Sequence, residues 1–459
     1  MNWYVERMES PGAKMPTVLL PTPGVSTYCT LDTGPVRGTF AQAGRAFVVG
    51  GNTLYELDNL GVATSRGTVS LDNSPVTFAA NGDAGGQIAL TSGGKLYILT
   101  LATNVLSGPM SDSTSTEIKA TMVAHMSGYF LAFDNSTSKV MLSNLNNGLT
   151  WNATQFFQRT RGGDPLQAMD VKTDEVWIWG EKTSEAWFNS GASPMPFEPI
   201  SGAFFEHGMV APFSMSRVGS SFIWLSRGED GEGVVMRSSG FQPTRISTHA
   251  VEHAICGYDT ITDAVSFAYQ DDGHVFYVLN FPTARATWVF DETTGLWHER
   301  GTWNLDLVSF DAWHPQYHMN IFGKHLVGDR ASSTVFQMSS SFYTDTNGEG
   351  IRRVRRAPHI SLEEQRLFYT KFQLDLDVGE GLIDGQGSNP QIMLRVSNDG
   401  GRTWGNERWT SAGKRGDYGT RAMWFRLGSA RDRVFEVSVS DPVPWRLIAA
   451  YIDVVKGSS

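Results

Sequence analysis

Between Ser397 and Trp404 the chain reads SNDGGRTW, the S-x-D-x-G-x-T-W form of an Asp-box. In such a turn the Asp399 carboxylate accepts bonds from the turn's own backbone, Gly401 relieves the tight geometry, and Trp404 packs beneath. Ser397, Asp399, Gly401, Thr403 and Trp404 therefore predict a structural hairpin tip. A looser copy, SNLNNGLTW, runs from Ser143 to Trp151.

Asp-boxes occur in sialidases, so glycan hydrolysis has to be weighed. That chemistry needs an arginine cluster for the substrate carboxylate, a Tyr/Glu nucleophile pair and an acid Asp. The Arg-Ile-Pro signature of such domains is absent, and the nearest string, Arg245-Ile246-Ser247, lies mid-chain. The Asp-box reads as a marker of fold. His314, His318 and His325 form the one histidine cluster, and Pro315 works against the helical i, i+4 geometry that would let two of them chelate. Asp291 to Gly295 (DETTG) lacks the alternating ligand spacing of a calcium loop and reads as a turn. No phosphate loop and no nucleophile elbow occur, and nothing assembles a nucleophile, a base and an oxyanion donor. The expectation is a non-enzyme with no cofactor and no metal.

One further charged stretch stands out. Arg352, Arg353, Arg355 and Arg356 fall within five residues. On a strand, Arg353 and Arg355 share one face while Arg352 and Arg356 share the other. The plain reading is an inter-domain strand with paired charges. The sharper one is a contact with a partner subunit or the DNA backbone, for which the guanidinium is suited.

The elements that must carry these residues are short hairpins. Arg45 to Asp58 (RAFVVGGNTLYELD) places Gly and Asn between two β-forming runs, a strong signal for a tight antiparallel turn. The unit recurs with turn centres near residues 51, 93, 136, 181, 229, 272 and 331. A four-stranded blade needs roughly 40–50 residues and must stack on neighbours, so this spacing predicts a β-propeller of about seven blades over 36–345. Thr68 to Leu71 and Val76 to Ala79 are candidates for outer blade strands. Trp177, Trp179, Trp187, Trp224, Trp288, Trp297 and Trp303 are expected to pack between blades. Ahead of the propeller, residues 1–35 are proline-rich and predict an extended arm with at most a short edge strand at Thr17 to Leu20. Behind it, residues 346–459 hold five strand-like runs that fit a β-sandwich: Phe368 to Leu376, Gln391 to Val396, Ala422 to Leu427, Val434 to Ser440 and Arg446 to Val454.

Composition agrees with an all-β chain. Among 459 residues, 48 are glycine and 19 proline, and no long helix-period apolar stretch is present. The formal charge of −10 argues against gripping DNA as the main activity, since that affinity comes from phosphate neutralisation. It is compatible with a passage along which DNA slides, where repulsion prevents sticking. Cys29 and Cys256 make no disulfide framework and suit assembly in a reducing cytosol. Met1 to Lys14 is polar, without the apolar core of a signal peptide, and no apolar run of spanning length predicts membrane insertion.

Several strings together resemble one family along the whole chain. They are NWYVERMESPGAKMPTVLLPTPG at the start, Gly34-Pro35-Val36-Arg37-Gly38, and TSEAWFNSG with PFEPISGAFFEHG. RISTHAVEHAI, HLVGDR, RAPHI and the closing SNDGGRTWGNERW with RLGSARDRVFEVSVSDPV complete the set. The family is that of the packaged-DNA-stabilisation proteins, the tail hub or nozzle proteins of short-tailed bacteriophages. The resemblance implies a structural virion protein, assembled in the host cytoplasm. It implies a homo-oligomeric ring, typically a hexamer, docked below the portal and its adaptor ring. Such a ring extends the DNA channel, retains packaged DNA, anchors fibres or spikes and meets a plug or needle protein. Genomic DNA would pass through its lumen without sequence-specific binding. A host-glycan-binding or glycan-hydrolysing propeller of a phage tail is the alternative.

Overall fold

The computed structural model describes residues 1–8, 15–159, 161–228, 233–363 and 365–457. Among them the regular structure is almost wholly strand, with two short helices, Gly82–Gly85 and His249–Cys256.

The first meander shows how the propeller is built. Val36–Gln42, Arg45–Gly50, Thr53–Leu57 and Ala63–Thr68 pair antiparallel in chain order. Gly51 turns the central hairpin at φ +52°, a value most side chains resist. Within Arg45–Gly50, Ala46 and Val48 pack with Leu326 and Val335 of the last blade. Phe47 and Val49 point the other way, onto Ile88, Leu90 and Tyr97 of the second. Successive strand side chains face opposite sides, so a strand apolar at every position is buried only if a sheet lies on each side. That requirement stacks the blades, and seven such sheets stand among the described residues. Trp177, Trp179, Trp187 and Trp224 fill the layers around the fourth and fifth blades with Phe205 and Phe222.

Two details differ from the sequence pattern. The hairpin expected near residue 272 joins the first and second strands of its blade, Val265–Asp271 and His274–Phe281, whereas the other hairpins join second and third. In this sixth blade the equivalent turn lies between Phe281 and Ala286, because VSFAYQD carries as strong a strand pattern as the segment after it. The fifth expected turn centre, near residue 229, lies outside the described residues. In addition, Thr68 to Leu71 is a strand only through Thr68, and the Val76 to Ala79 candidate becomes Phe78–Ala80, the first strand of the second blade rather than an outer one.

The larger difference concerns residues 1–35. They were expected as an extended arm, but instead supply strands to both halves of the molecule. Gly24–Thr30 pairs antiparallel with Thr334–Ser339 and completes the seventh blade. Trp3–Arg7 and Thr17–Pro21 form a hairpin whose second strand meets Leu447–Lys456 of the C-terminal sheet at Leu19 and Leu447. In that sheet Leu447–Lys456 also pairs with Leu367–Leu376, which pairs with Ala422–Phe425. The opposing sheet runs Arg353–Arg356, Asp432–Val439, Gln391–Ser397 and Arg408–Ser411. Phe372, Leu374, Ile392, Leu394, Trp424 and Phe435 fill the space between them.

The hairpin repeats the blade logic at a larger scale. Trp3 and Leu19 face the sandwich core, while Tyr4 and Leu20 face Phe276 and Val327 of the propeller. Alternation along one strand thus puts neighbouring residues into two different cores. Truncating either large aromatic should cost about 3 kcal/mol or more. Trp3→Ala is expected to lower the sandwich transition in scanning calorimetry, and Tyr4→Ala the propeller transition. An unchanged profile for either variant would contradict the two-faced assignment.

Candidate interaction site at the junction of propeller and sandwich

The junction is stitched by a few backbone and amide groups. Asn2, 1% exposed and held at φ +61°, donates its side-chain amide to Gly301 O (2.9 Å) and Arg352 O (2.8 Å). Its Oδ1 accepts from the Gly301 amide (2.9 Å), and its own amide donates to Glu299 O (2.8 Å). One residue therefore bonds the fourth strand of the sixth blade, Leu296–Asn304, and the residue preceding the Arg353–Arg356 strand.

Two fully buried arginines lie beside it. Arg300 donates to Pro23 O (2.5 Å) and Tyr269 Oη (3.3 Å), with its guanidinium 3.3 Å from the Trp313 ring centroid. Arg353 donates to Ile351 O (3.2 Å) and Thr22 O (3.4 Å). Burial, aided by the Arg300 charge, pushes the Arg353 guanidinium down to about 9, and burial likewise lowers Arg300. Burial also raises the Asp345 carboxyl close by.

The arginine stretch and the Asp-box, distant in sequence, come together on the sandwich. Arg356 Nε and Arg395 Nε each donate to Glu436, which is 1% exposed, at 2.5 Å. The same two guanidinium groups lie 5.2 and 4.8 Å from the Trp404 centroid. Within the turn, Asp399 accepts from Ser397 Oγ (2.6 Å), the Thr403 hydroxyl (2.5 Å) and the amides of Arg402 (3.0 Å) and Thr403 (2.9 Å). Gly401 N–H donates to Ser397 Oγ (2.8 Å). These bonds, the hydroxyls first, hold the Asp399 carboxyl well below the usual carboxylate range. The looser copy has no such carboxylate, and Trp151 there donates to Gly148 O (2.7 Å).

Arg352 stacks 4.4 Å over Trp303 and meets Glu407 at 3.3 Å. Three of the four arginines are thus engaged inside the chain, which narrows the proposed partner contact. Arg355 alone of the four points into solvent with no ion pair among the described residues. Its companion on the expected common face, Arg353, is buried, with its guanidinium held by the Ile351 and Thr22 carbonyls.

The other candidates are likewise absorbed by local contacts. Arg45, Arg159, Arg217, Arg237, Arg245 and Arg285 pair with Glu56, Asp164, Asp170, Glu292, Glu252 and Asp311, spread over several blades. His318 Nε2 lies 3.0 Å from His325 Nδ1 across two strands, while His314 meets Thr346 at 3.3 Å. Burial, then the neighbouring His325, push His318 down to about 3. Asp291 turns its own loop by accepting from Thr293 N (3.0 Å) and Thr294 Oγ1 (2.6 Å), and it also holds His274 Nδ1 at 2.8 Å. On its other side His274 Nε2 lies 2.7 Å from Glu6, so this histidine ties the N-terminal hairpin to the sixth blade.

Sequence reasoning missed Asn2, His274 and the helix His249–Cys256. The helix had a readable signal, since Thr248 caps the Val251 amide and Val251 and Ile255 share one buried face. Asn2 acts through strands hundreds of residues away, and His274 reaches back to Glu6 from Asp291, so no local pattern marks either.

Comparison with known proteins bears on the whole chain. Residues 2–343 match the family model described as bacteriophage P22 Gp10, beta-propeller, and residues 352–455 the one described as bacteriophage P22 Gp10, beta-sandwich. No curated protein sequence matches. Among solved structures, the WD40 beta propeller domain of Doa1 is 12% identical over 69% of this chain and 97% of that one, with a TM-score of 0.42. Streptogramin B lyase is 10% identical over 69% and 98%, with a TM-score of 0.44. The extracellular domain of the putative one-component system BT4673 from B. thetaiotaomicron is 8% identical over 86% and 48%, at 0.45.

The His274 bridge gives the junction a pH dependence. Burial lowers the imidazole's proton affinity, but the hydrogen bonds to Glu6 and Asp291 and their charges more than offset it, so its pKa is raised. A raised value means the contribution is complete below the unfolded pKa of about 6.5 and fades as pH climbs through the higher folded one. Hydrogen exchange of the Tyr4 and Glu6 amides should therefore quicken as pH rises above neutrality, beyond the intrinsic change in exchange chemistry. His274→Gln should remove that excess, and a variant that keeps it would refute the bridge. Independently, Asp399→Asn should speed exchange at the Arg402 and Thr403 amides while leaving the propeller unaffected.

Proposed function

The chain belongs to the bacteriophage P22 Gp10 family, the packaged-DNA-stabilisation proteins of phage tails, and from that premise we propose that it is one subunit of a closed tail-hub ring. It is a structural protein of the tail and stabilises packaged DNA. In the proposed ring, typically of six copies, residues 36–345 form the propeller wedge and 346–459 the sandwich, with 1–35 clamping the two. The ring continues the DNA channel below the portal and its adaptor, carries fibres or spikes, and receives a plug or needle. Assembly takes place in the host cytoplasm, and the subunit performs no catalysis.

The observation that carries this reading is the match along both halves, joined by a hairpin that belongs to each. First strands of successive blades bond directly to one another, as between Ser216 and Ser266 hydroxyls (2.8 Å) and between Arg217 and Asp170 (2.7 Å). In the proposed ring DNA runs beside the subunits, through the lumen they enclose. An acidic chain lines such a lumen without sticking, because adhesion to DNA requires phosphate neutralisation.

Electron microscopy and mass photometry of the full chain, alone and with its adaptor, test the proposal. A ring in at least one condition is expected. A monodisperse monomer in both would overturn it, and an assembled lumen that is strongly basic would overturn the account of DNA passage.

A further inference from the structure

The sixth blade ends in a hairpin whose tip has unusual chemistry. Between Leu296–Asn304 and Ser309–Ala312 the chain exposes Leu305 (67%), Leu307 (56%) and Val308 (72%) around Asp306. Hairpin tips are normally polar and rich in Gly, Asn or Asp. This one is shaped rather than frayed, since Asn304 Oδ1 accepts from the amides of Asp306 (3.0 Å) and Leu307 (3.1 Å). Val308 sits at φ +50°, a strained value for a β-branched residue and of the kind that collects at functional positions.

The sandwich carries an apolar cleft. Thr17–Pro21 meets Leu447–Lys456 in register only at Leu19 and Leu447, so the two strands part beyond that pair. The gap is a cleft of about 280 Å³ that reaches Leu19, Phe372, Leu374, Phe435 and Val437, with Arg355 among the residues lining it. Arg355 and Asp306 are both exposed and form no ion pair among the described residues.

We propose that the tip of residues 305–308 on one copy of this chain seats in the sandwich cleft of the next copy, with Asp306 meeting Arg355. Apolar knob and apolar cleft lie on different parts of one chain, and each carries one exposed charge, of opposite sign. Two unlike complementary patches produce a head-to-tail contact, which repeats and closes into a ring when its rotation permits. The inference rests on the ring reading and assigns its contact. Buried anchors near the middle of an interface carry most of its energy, and adjoining surface supplies the remainder of the ~1,000 Å² a stable contact needs.

Charge reversal tests it with the full chain. Asp306→Arg and Arg355→Asp are surface changes, and each should raise the concentration for half-assembly roughly tenfold or more. The double variant should return toward wild type. Leu307→Asp should abolish assembly while leaving the melting profile intact. A single reversal or a Leu307→Asp variant that assembles like wild type overturns the contact while leaving the ring itself standing. Should wild type prove monomeric, the ring reading fails, and the contact is judged by cross-linking. For that, Asp306→Cys and Arg355→Cys are combined in a Cys256→Ser background, because Cys256 is exposed. A disulfide-linked ladder upon mild oxidation at high concentration supports the seat, and its absence overturns it.

Discussion

A strand that is apolar on both faces has to be covered twice, and most of this molecule follows from that demand. Arg45–Gly50 meets it by lying between two blades, with alternate residues in different layers. Trp3–Arg7 meets it by lying between two domains, with Trp3 in the sandwich and Tyr4 in the propeller. Covering both faces leaves no solvent side on which polar backbone can be satisfied at the ends. The junction therefore needs groups such as Asn2, whose amide and carbonyl oxygen serve carbonyls and an amide from distant strands. The same economy explains the seventh blade. Its outermost strand, Gly24–Thr30, comes from the other end of the chain, so the first and last segments of the propeller are held in one sheet.

Arg300 and Arg353 make the junction cooperative. Each is buried without a carboxylate within ion-pair distance among the described residues, and each leans on a carbonyl of the segment just after the hairpin, Pro23 O or Thr22 O. A charge kept out of water needs all its compensating dipoles, and removing some costs several kcal/mol at least. Peeling the N-terminal segment away would strand both guanidinium groups at once. Docking of the propeller on the sandwich thus satisfies both buried charges through one short segment.

What could be read from the sequence was what is local. Turns such as Gly51 and Gly93 sit where Gly and Asn interrupt apolar runs, and the Asp-box closes on itself within eight residues. The five C-terminal strands were visible for the same reason, each carrying its own alternation or apolar run between turn residues. The phase of the sixth blade was not visible, since its first strand matches its second in pattern and periodicity cannot rank them. The N-terminal hairpin was hidden more deeply. Its prolines at 16, 21 and 23 suggest irregular chain, yet Pro21 ends a strand and Pro23 lends its carbonyl to Arg300. Partners such as Glu6 with His274, or Asn2 with Gly301, lie beyond any window in which local pattern has meaning.

Charge completes the argument. The chain carries 37 basic and 47 acidic residues, and many of its arginines are already committed to carboxylates or carbonyls of their own chain. Neighbouring copies of such a subunit repel, but beyond about 8 Å that repulsion is largely screened at physiological salt. In the proposed ring, assembly is then driven at short range by apolar surface, with the few uncommitted charges setting orientation rather than strength. DNA experiences the same surface differently. It is polyanionic along its whole length and offers no apolar side to match, so in the proposed lumen it meets repulsion without compensation. In the proposed conduit, acidity thus leaves contact between subunits intact while denying a grip on the genome.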